Sequence, residues 1–145
     1  MIKRIVVPVD FSEVSCRAAR FAVNELAPQL DAHVVFVAVL EVGDLRVAMS
    51  AGLHGFDTDE ELRKKVRDWV EEQFQRIESA DGAIKAQRDV RRGIPEREII
   101  EAIREHEADM VVMGSSGIGS RLPIGSKTEL VIKHSQVPVL VIHGE

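Results

Sequence analysis

The sequence predicts a single-domain α/β fold: a three-layer sandwich in which a five-stranded parallel sheet, order 3-2-1-4-5, lies between helices on both faces. Three observations carry this. Residues 2–9, 33–40, 109–113 and 137–142 are short apolar runs rich in β-branched residues, the pattern of strands buried on both sides. Segments with helical apolar spacing separate them, and strands alternating with helices imply a parallel sheet. A fifth segment, 83–90, alternates with period two and so belongs at an edge. Right-handed crossovers leave few arrangements, and the more uniformly apolar first and fourth strands take the centre.

In chain order, residues 2–9 end at Pro8, Val9 and Asp10, and Ser12 is placed to cap the next helix. Ala18, Phe21, Ala22 and Leu26 recur there at helical spacing up to Pro28. After the second strand, residues 41–57 show no period and hold three glycines. A loop of that length inside one domain often covers or binds a ligand, and Met49 and His54 lie in it, although plain solvent exposure explains them too. Thr58 with Glu61 forms a capping-box pattern. The long helix behind it is lined by Leu62, Val66, Trp69, Val70 and Ile77, with Trp69 expected in the core. In 83–90, Ile84, Ala86 and Val90 take one side and Lys85, Gln87 and Asp89 the other. Pro95 opens the next helix, where a missing N–H costs little, and Ile99, Ile100 and Ile103 form its stripe. A short helix over residues 126–134 precedes the last strand.

The chain has 145 residues, 45% hydrophobic and 30% charged, with net charge −5 and well-mixed signs. That suits one soluble domain with a substantial core. No basic block points to nucleic acid, and no stretch approaches the roughly 20 apolar residues of a membrane span. Cys16 stands alone, so neither an internal disulfide nor a cysteine metal site is expected, and a reduced, cytoplasmic setting fits.

The chemistry concentrates in VVMGSSGIGSRLPIGSKTELV, residues 111–131. Glycines let a backbone approach a ligand closely, and the free N–H groups and dipole at a helix start attract anions. Gly114 and Gly117 would let phosphates lie against the backbone, and Ser126 would offer a hydroxyl and an N–H. A second reading stands beside it: Ser126 with Glu129 is itself a capping box, and glycines serve turns without any ligand. The string GSKT is not a P-loop, because a serine separates Gly125 from Lys127. Asp10 suits a ligand hydroxyl or a metal, and equally suits a helix N-terminus. The predicted sheet order reverses between strands 1 and 4, so Asp10 and Gly114 meet where ligands bind in such sheets.

The segments IVVPVDFSE (5–13), GIPEREIIEAI (93–103), ADMVVMGSSG (108–117) and GSKTELVIKHSQVPVLVI (125–142) make the chain resemble the universal stress protein family over nearly its whole length. The resemblance implies the adenine nucleotide alpha hydrolase-like fold. One kind of member binds ATP through a G-x2-G-x9-G-[ST] motif after the fourth strand; another lacks the motif and binds no nucleotide. Here Gly114, Gly117, Gly125 and Ser126 match in type, but seven residues rather than nine separate Gly117 from Gly125. Asp10 matches the aspartate after the first strand, with Pro8 and Val9 before it. Val39 matches the strand-2 residue whose backbone meets adenine, and Met113 precedes the first motif glycine. Arg121 and Lys127 would supply positive charge to phosphate. The missing residues shorten the reach by up to ~7 Å, and Pro123 stiffens the loop.

The resemblance therefore implies a regulatory protein of the stress response, binding ATP, with or without Mg²⁺, or else AMP or ADP. It implies a homodimer through residues 137–142, with Val137 and Ile142 at the ends, an unknown protein partner, and at most a slow ATPase. The alternative is a dimeric interaction protein without nucleotide. A nucleotidyltransferase would need H-x-G-H after strand 1, where residues 8–13 read PVDFSE. A phospho-receiver would need an acidic pair there.

Overall fold

The computed structural model describes residues 1–41, 59–79, 86–117 and 122–144. Strands β1 (Arg4–Pro8), β2 (His33–Leu40), β3 (Gln87–Arg92), β4 (Met110–Gly114) and β5 (Val139–Ile142) form one parallel sheet in the order β3-β2-β1-β4-β5, as the sequence predicts. Helices α1 (Glu13–Phe21), α2 (Ala27–Leu30) and α3 (Asp59–Ser79) pack on one face; α4 (Pro95–Glu105) and α5 (Ser126–His134) pack on the other. The alternation of each strand divides its side chains between the two cores. Ile5, Val7, Phe36 and Val112 join Val66, Val70, Phe74 and Ile77, while Val6, Val35, Val37 and Val111 join Ile99, Ile103 and Val131.

At the amino end of the sheet, Asp109 ties β1 to β4. Its Oδ2 accepts the N–H groups of Lys3 at 2.8 Å and Arg4 at 2.9 Å, and its own N–H donates to the Arg4 carbonyl at 2.8 Å.

Four local expectations are corrected. The first helix does not stop at Pro28. A π-turn over Ala22–Leu26 widens the backbone, and the chain continues through α2, with Pro28 in its first turn, to a left-handed Asp31 (φ 52°). Widening next to a proline answers the collision its ring would make with the carbonyl four residues back. Trp69 is not core: it is 40% exposed, and Phe74, at 1%, fills the stripe with Val66, Val70 and Ile77. Trp69 flanks that stripe and meets the Phe11 ring edge-on at 5.6 Å.

The alternation expected of β3 holds for Ala86 and Gln87 but fails beyond them: Val90 is 47% exposed, while Arg88 on one face and Asp89 and Arg91 on the other are half-buried. The Arg88 guanidinium lies over the Phe74 ring, 4.9 Å from its centre, and binds Glu71 and Glu78. On the opposite face Arg91 binds Asp89, Glu98 and Glu105, and Asp89 also holds His106 Nε2 at 2.7 Å. Long stems pack like apolar side chains when their heads reach partners, so an edge strand can bury arginines. Its edge position is as expected. The fourth correction, at the start of α5, belongs to the site below. The strand bounds shift by a few residues, and Thr58 and Ile84 lie outside the described residues.

Asp109→Asn is expected to lower thermal stability at neutral pH and to flatten its decline in acid. The Lys3 and Arg4 N–H groups hold the Asp109 carboxyl below the usual carboxylate range. Its contribution is therefore complete above the ordinary carboxylate pKa and drains away as pH falls through the depressed value. Melting curves of both proteins from neutral to strongly acidic pH check this; parallel declines would contradict it.

Candidate functional site

The crevice follows from the hydrogen bonding past the strand ends. The Val9 N–H continues the β1–β2 ladder to the Val37 carbonyl at 2.8 Å, whereas the Ser115 N–H continues β4 toward β5, to the Ile142 carbonyl at 2.8 Å. The extensions of β1 and β4 therefore take partners on opposite sides and diverge beyond Val9 and Gly114, leaving between the two chains a gap that the Asp10 carboxylate narrows against Gly117. This is the topological switch point where ligands bind in open α/β sheets.

Asp10 forms one wall. Its Oδ1 accepts the Ser12 N–H at 3.0 Å, and its N–H donates to Ser15 Oγ at 3.2 Å. Ser12 caps α1 as expected, its Oγ accepting the Ser15 N–H at 3.2 Å. Between them Phe11 adopts φ 63°, a left-handed backbone unusual for a bulky residue. Edge-on contacts with Trp69 and Phe74, the latter at 5.1 Å, hold its ring. One Asp10 oxygen thus does the helix-start work foreseen as the simpler reading. The other faces the glycine loop: a Cβ on Gly117 would lie 2.7 Å from Asp10 Oδ2.

The glycine loop closes on itself at its base. The Gly125 N–H donates to the Ser115 carbonyl at 2.7 Å, and a Cβ on Gly125 would lie 3.2 Å from Ser116 Cα. The buried Thr128 Oγ1 donates to the Gly114 carbonyl at 2.9 Å. Gly114 itself abuts α1, where a Cβ would lie 2.7 Å from Val14 Cγ1. The capping box expected at Ser126 is absent. Gly125 is the N-cap with extended backbone and no side-chain cap, Ser126 is the first helical residue, and the Glu129 N–H makes an ordinary bond to the Gly125 carbonyl at 2.9 Å. The N–H groups of Ser126, Lys127 and Thr128 precede the first intrahelical bond, as at every helix start. The exposed Ser126 hydroxyl is not a cap in this arrangement.

The remaining predicted residues lie around this gap, with one exception. Pro8 and Val9 are buried beneath Asp10, and Met113 is buried beneath Gly114. Val39 is half-buried near the carboxyl end of β2, on the face that carries α4 and α5. Lys127 reaches across to Glu41 just beyond β2, Nζ to Oε1 3.2 Å. Arg121 lies outside the described residues, as do Met49 and His54. Sequence reasoning missed Glu41, Phe11, Ser115 and Thr128. Of these Ser115 and Thr128 stood in the quoted motif, and nothing local marked Glu41 as a partner of Lys127. Among the described residues no cluster of three or more His, Cys, Asp or Glu could hold a metal. Burial pushes the Cys16 thiol up, so it stays protonated rather than nucleophilic.

A model of the universal stress protein family matches residues 1–143. The chain is 31% identical to universal stress protein MJ0531 of Methanocaldococcus jannaschii, over 98% of this chain and 82% of that protein. Among solved structures, that of MJ0577 from the same organism superposes with a TM-score of 0.77 at 27% identity, covering 100% of this chain and 98% of the other. A universal stress protein solved in complex with cAMP shares the fold, with a TM-score of 0.65 at 22% identity over 98% and 97% of the two chains.

The two glycines next to the gap are expected to respond differently to alanine. Gly114→Ala pushes a methyl into Val14 inside a packed layer and should cost about 1–3 kcal/mol. Gly117→Ala meets the end of a carboxylate, which can turn away, so stability should change little while Asp10 is displaced. Chemical denaturation of both variants checks this; equal losses would show that the Gly117 contact is as rigid as that of Gly114.

Proposed function

Because the chain belongs to the universal stress protein family, we propose that it binds an adenine nucleotide, ATP first, in the gap between Asp10 and residues 114–126 and acts as a regulatory protein of the stress response. One observation carries this reading: the Gly125–Ser115 hydrogen bond sets the start of α5 beside the same gap that Asp10 and Gly117 line. The shorter motif therefore still brings its anchors together. Phosphates suit the α5 end, where the Ser126, Lys127 and Thr128 N–H groups, the Ser126 hydroxyl and the Lys127 ammonium converge with the helix dipole. Asp10 repels phosphate and so suits the uncharged sugar or base, with the Val39 backbone toward adenine. Mg²⁺ would arrive with the phosphates, and AMP or ADP would use the same anchors with fewer contacts. Hydrolysis is at most slow, because Asp10 is already engaged in holding the start of α1, and Glu41, another carboxylate among the described residues near the gap, is paired with Lys127.

The second reading, a dimeric interaction protein without nucleotide, has its own support. The Gly125 N–H is already given to the Ser115 carbonyl and is withdrawn from any phosphate.

Under both readings the protein is a cytoplasmic homodimer joined through residues 137–142, and a further protein partner responds to its state. β5 is an edge strand whose four residues are only half-buried, with exposed Ile132 and Leu122 elsewhere on the surface. An apolar edge of this kind calls for a covering strand. No helix among the described residues is long and apolar enough to cross a membrane.

Calorimetric titration of nucleotide-free protein with ATP and Mg²⁺ is expected to give micromolar binding that Gly125→Val abolishes. No heat and no thermal shift at millimolar ATP would decide for the nucleotide-free reading. Val139→Lys is expected to give monomers in sedimentation; a dimer that persists would place the interface elsewhere.

A further inference from the structure

Lys127 occupies an unfavourable place. It is the second residue of α5, where the helix dipole disfavours a cation. Its counter-charge is Glu41, 3.2 Å away, supplied from beyond the carboxyl end of β2. In the sheet order β1 separates β2 from β4, so the pair joins the two sides of the gap beyond the β1 end. Both side chains stay well exposed, Lys127 at 49% and Glu41 at 37%. A solvated pair of this kind is weak and exchanges partners readily.

We infer that Glu41 is a built-in competitor for the anion site: its carboxylate holds the Lys127 ammonium that a ligand phosphate must take over, and it thereby lowers phosphate affinity. This rests on the nucleotide reading above. Phosphate at the start of α5 offers Lys127 a stronger partner than Glu41, and it also satisfies the helix N–H groups. Binding then parts Glu41 from Lys127. Removing the Glu41 charge frees Lys127 in advance and removes the competition. An exposed pair implies a modest gain, roughly 2–5-fold in affinity. Because screening weakens exposed charge pairs, that gain should shrink as salt is raised.

The test is calorimetric titration with ATP and Mg²⁺ of the wild type, Glu41→Gln, Lys127→Gln and the double variant, at low and high salt, with circular dichroism confirming the fold of each. The expected results are tighter binding for Glu41→Gln, weaker binding for Lys127→Gln, and a double variant equal to Lys127→Gln. Binding by Glu41→Gln with none by the wild type also supports the inference. Equal or weaker binding by Glu41→Gln overturns it while leaving the nucleotide reading intact. A gain from Glu41→Gln that persists in the Lys127→Gln background also overturns it, because the carboxylate would then act by simple repulsion. No binding by any of the four proteins overturns both readings.

Discussion

The hydrogen bond from the Gly125 N–H to the Ser115 carbonyl fixes where α5 begins, and the geometry of the gap depends on it. Ser115 is buried just past β4, and its own N–H is taken by Ile142 of β5. Its carbonyl must also find a donor, because an unmet buried carbonyl is costly. Gly125 supplies that donor, and it can come so close because a Cβ there would press on Ser116. Thr128 adds a second tie, from its hydroxyl to the Gly114 carbonyl. The base of the loop is therefore closed whatever its outer length, so a shorter connection between Gly117 and Gly125 leaves the anchors in place.

The same bond limits what the site can offer. An N–H given to Ser115 is not available to a ligand, which leaves the first turn of α5 to meet an anion. The Ser126, Lys127 and Thr128 N–H groups make that end the positive one, with the Lys127 ammonium held there by Glu41, while Asp10 keeps the opposite wall negative. A ligand with one charged and one neutral end has a single favourable orientation across such a gap. A free anion lacking a neutral part would gain only half of the wall.

Much of this was legible in the sequence because it depends on local pattern. Uniform apolarity set β1 and β4 at the centre and alternation set β3 at an edge. Asp10, Gly114, Gly117 and Gly125 were identifiable by residue type and position. What misled was chemistry that serves two structures equally. Ser126 followed by Glu129 reads as a capping box, yet Gly125 is the cap, because it must approach Ser116. On α3 both Trp69 and Phe74 are large and aromatic, and only the helical phase against β2 decides that Phe74 stacks on Phe36, 6.1 Å between ring centres. On β3 the arginines turn inward because Phe74, Glu71 and Glu78 await one of them and Asp89, Glu98 and Glu105 the other. The Glu41–Lys127 pair joins residues remote in sequence and leaves no local trace.

The two walls of the gap differ in stiffness, and this follows from what each is built on. The Asp10 backbone is fixed even where its carboxylate can turn: its N–H is held by Ser15 Oγ, and the next residue, Phe11, keeps a left-handed backbone with its ring wedged against Trp69 and Phe74. Strain of that kind persists where the surroundings over-determine it, here through the α3 core. The opposite wall ends in a solvated ion pair between two half-exposed side chains. Shape recognition therefore belongs to the Asp10 side, whose position the core sets before any ligand arrives. Under the nucleotide reading, the strength of anion binding would belong to the Lys127 side, where one counter-charge can replace another.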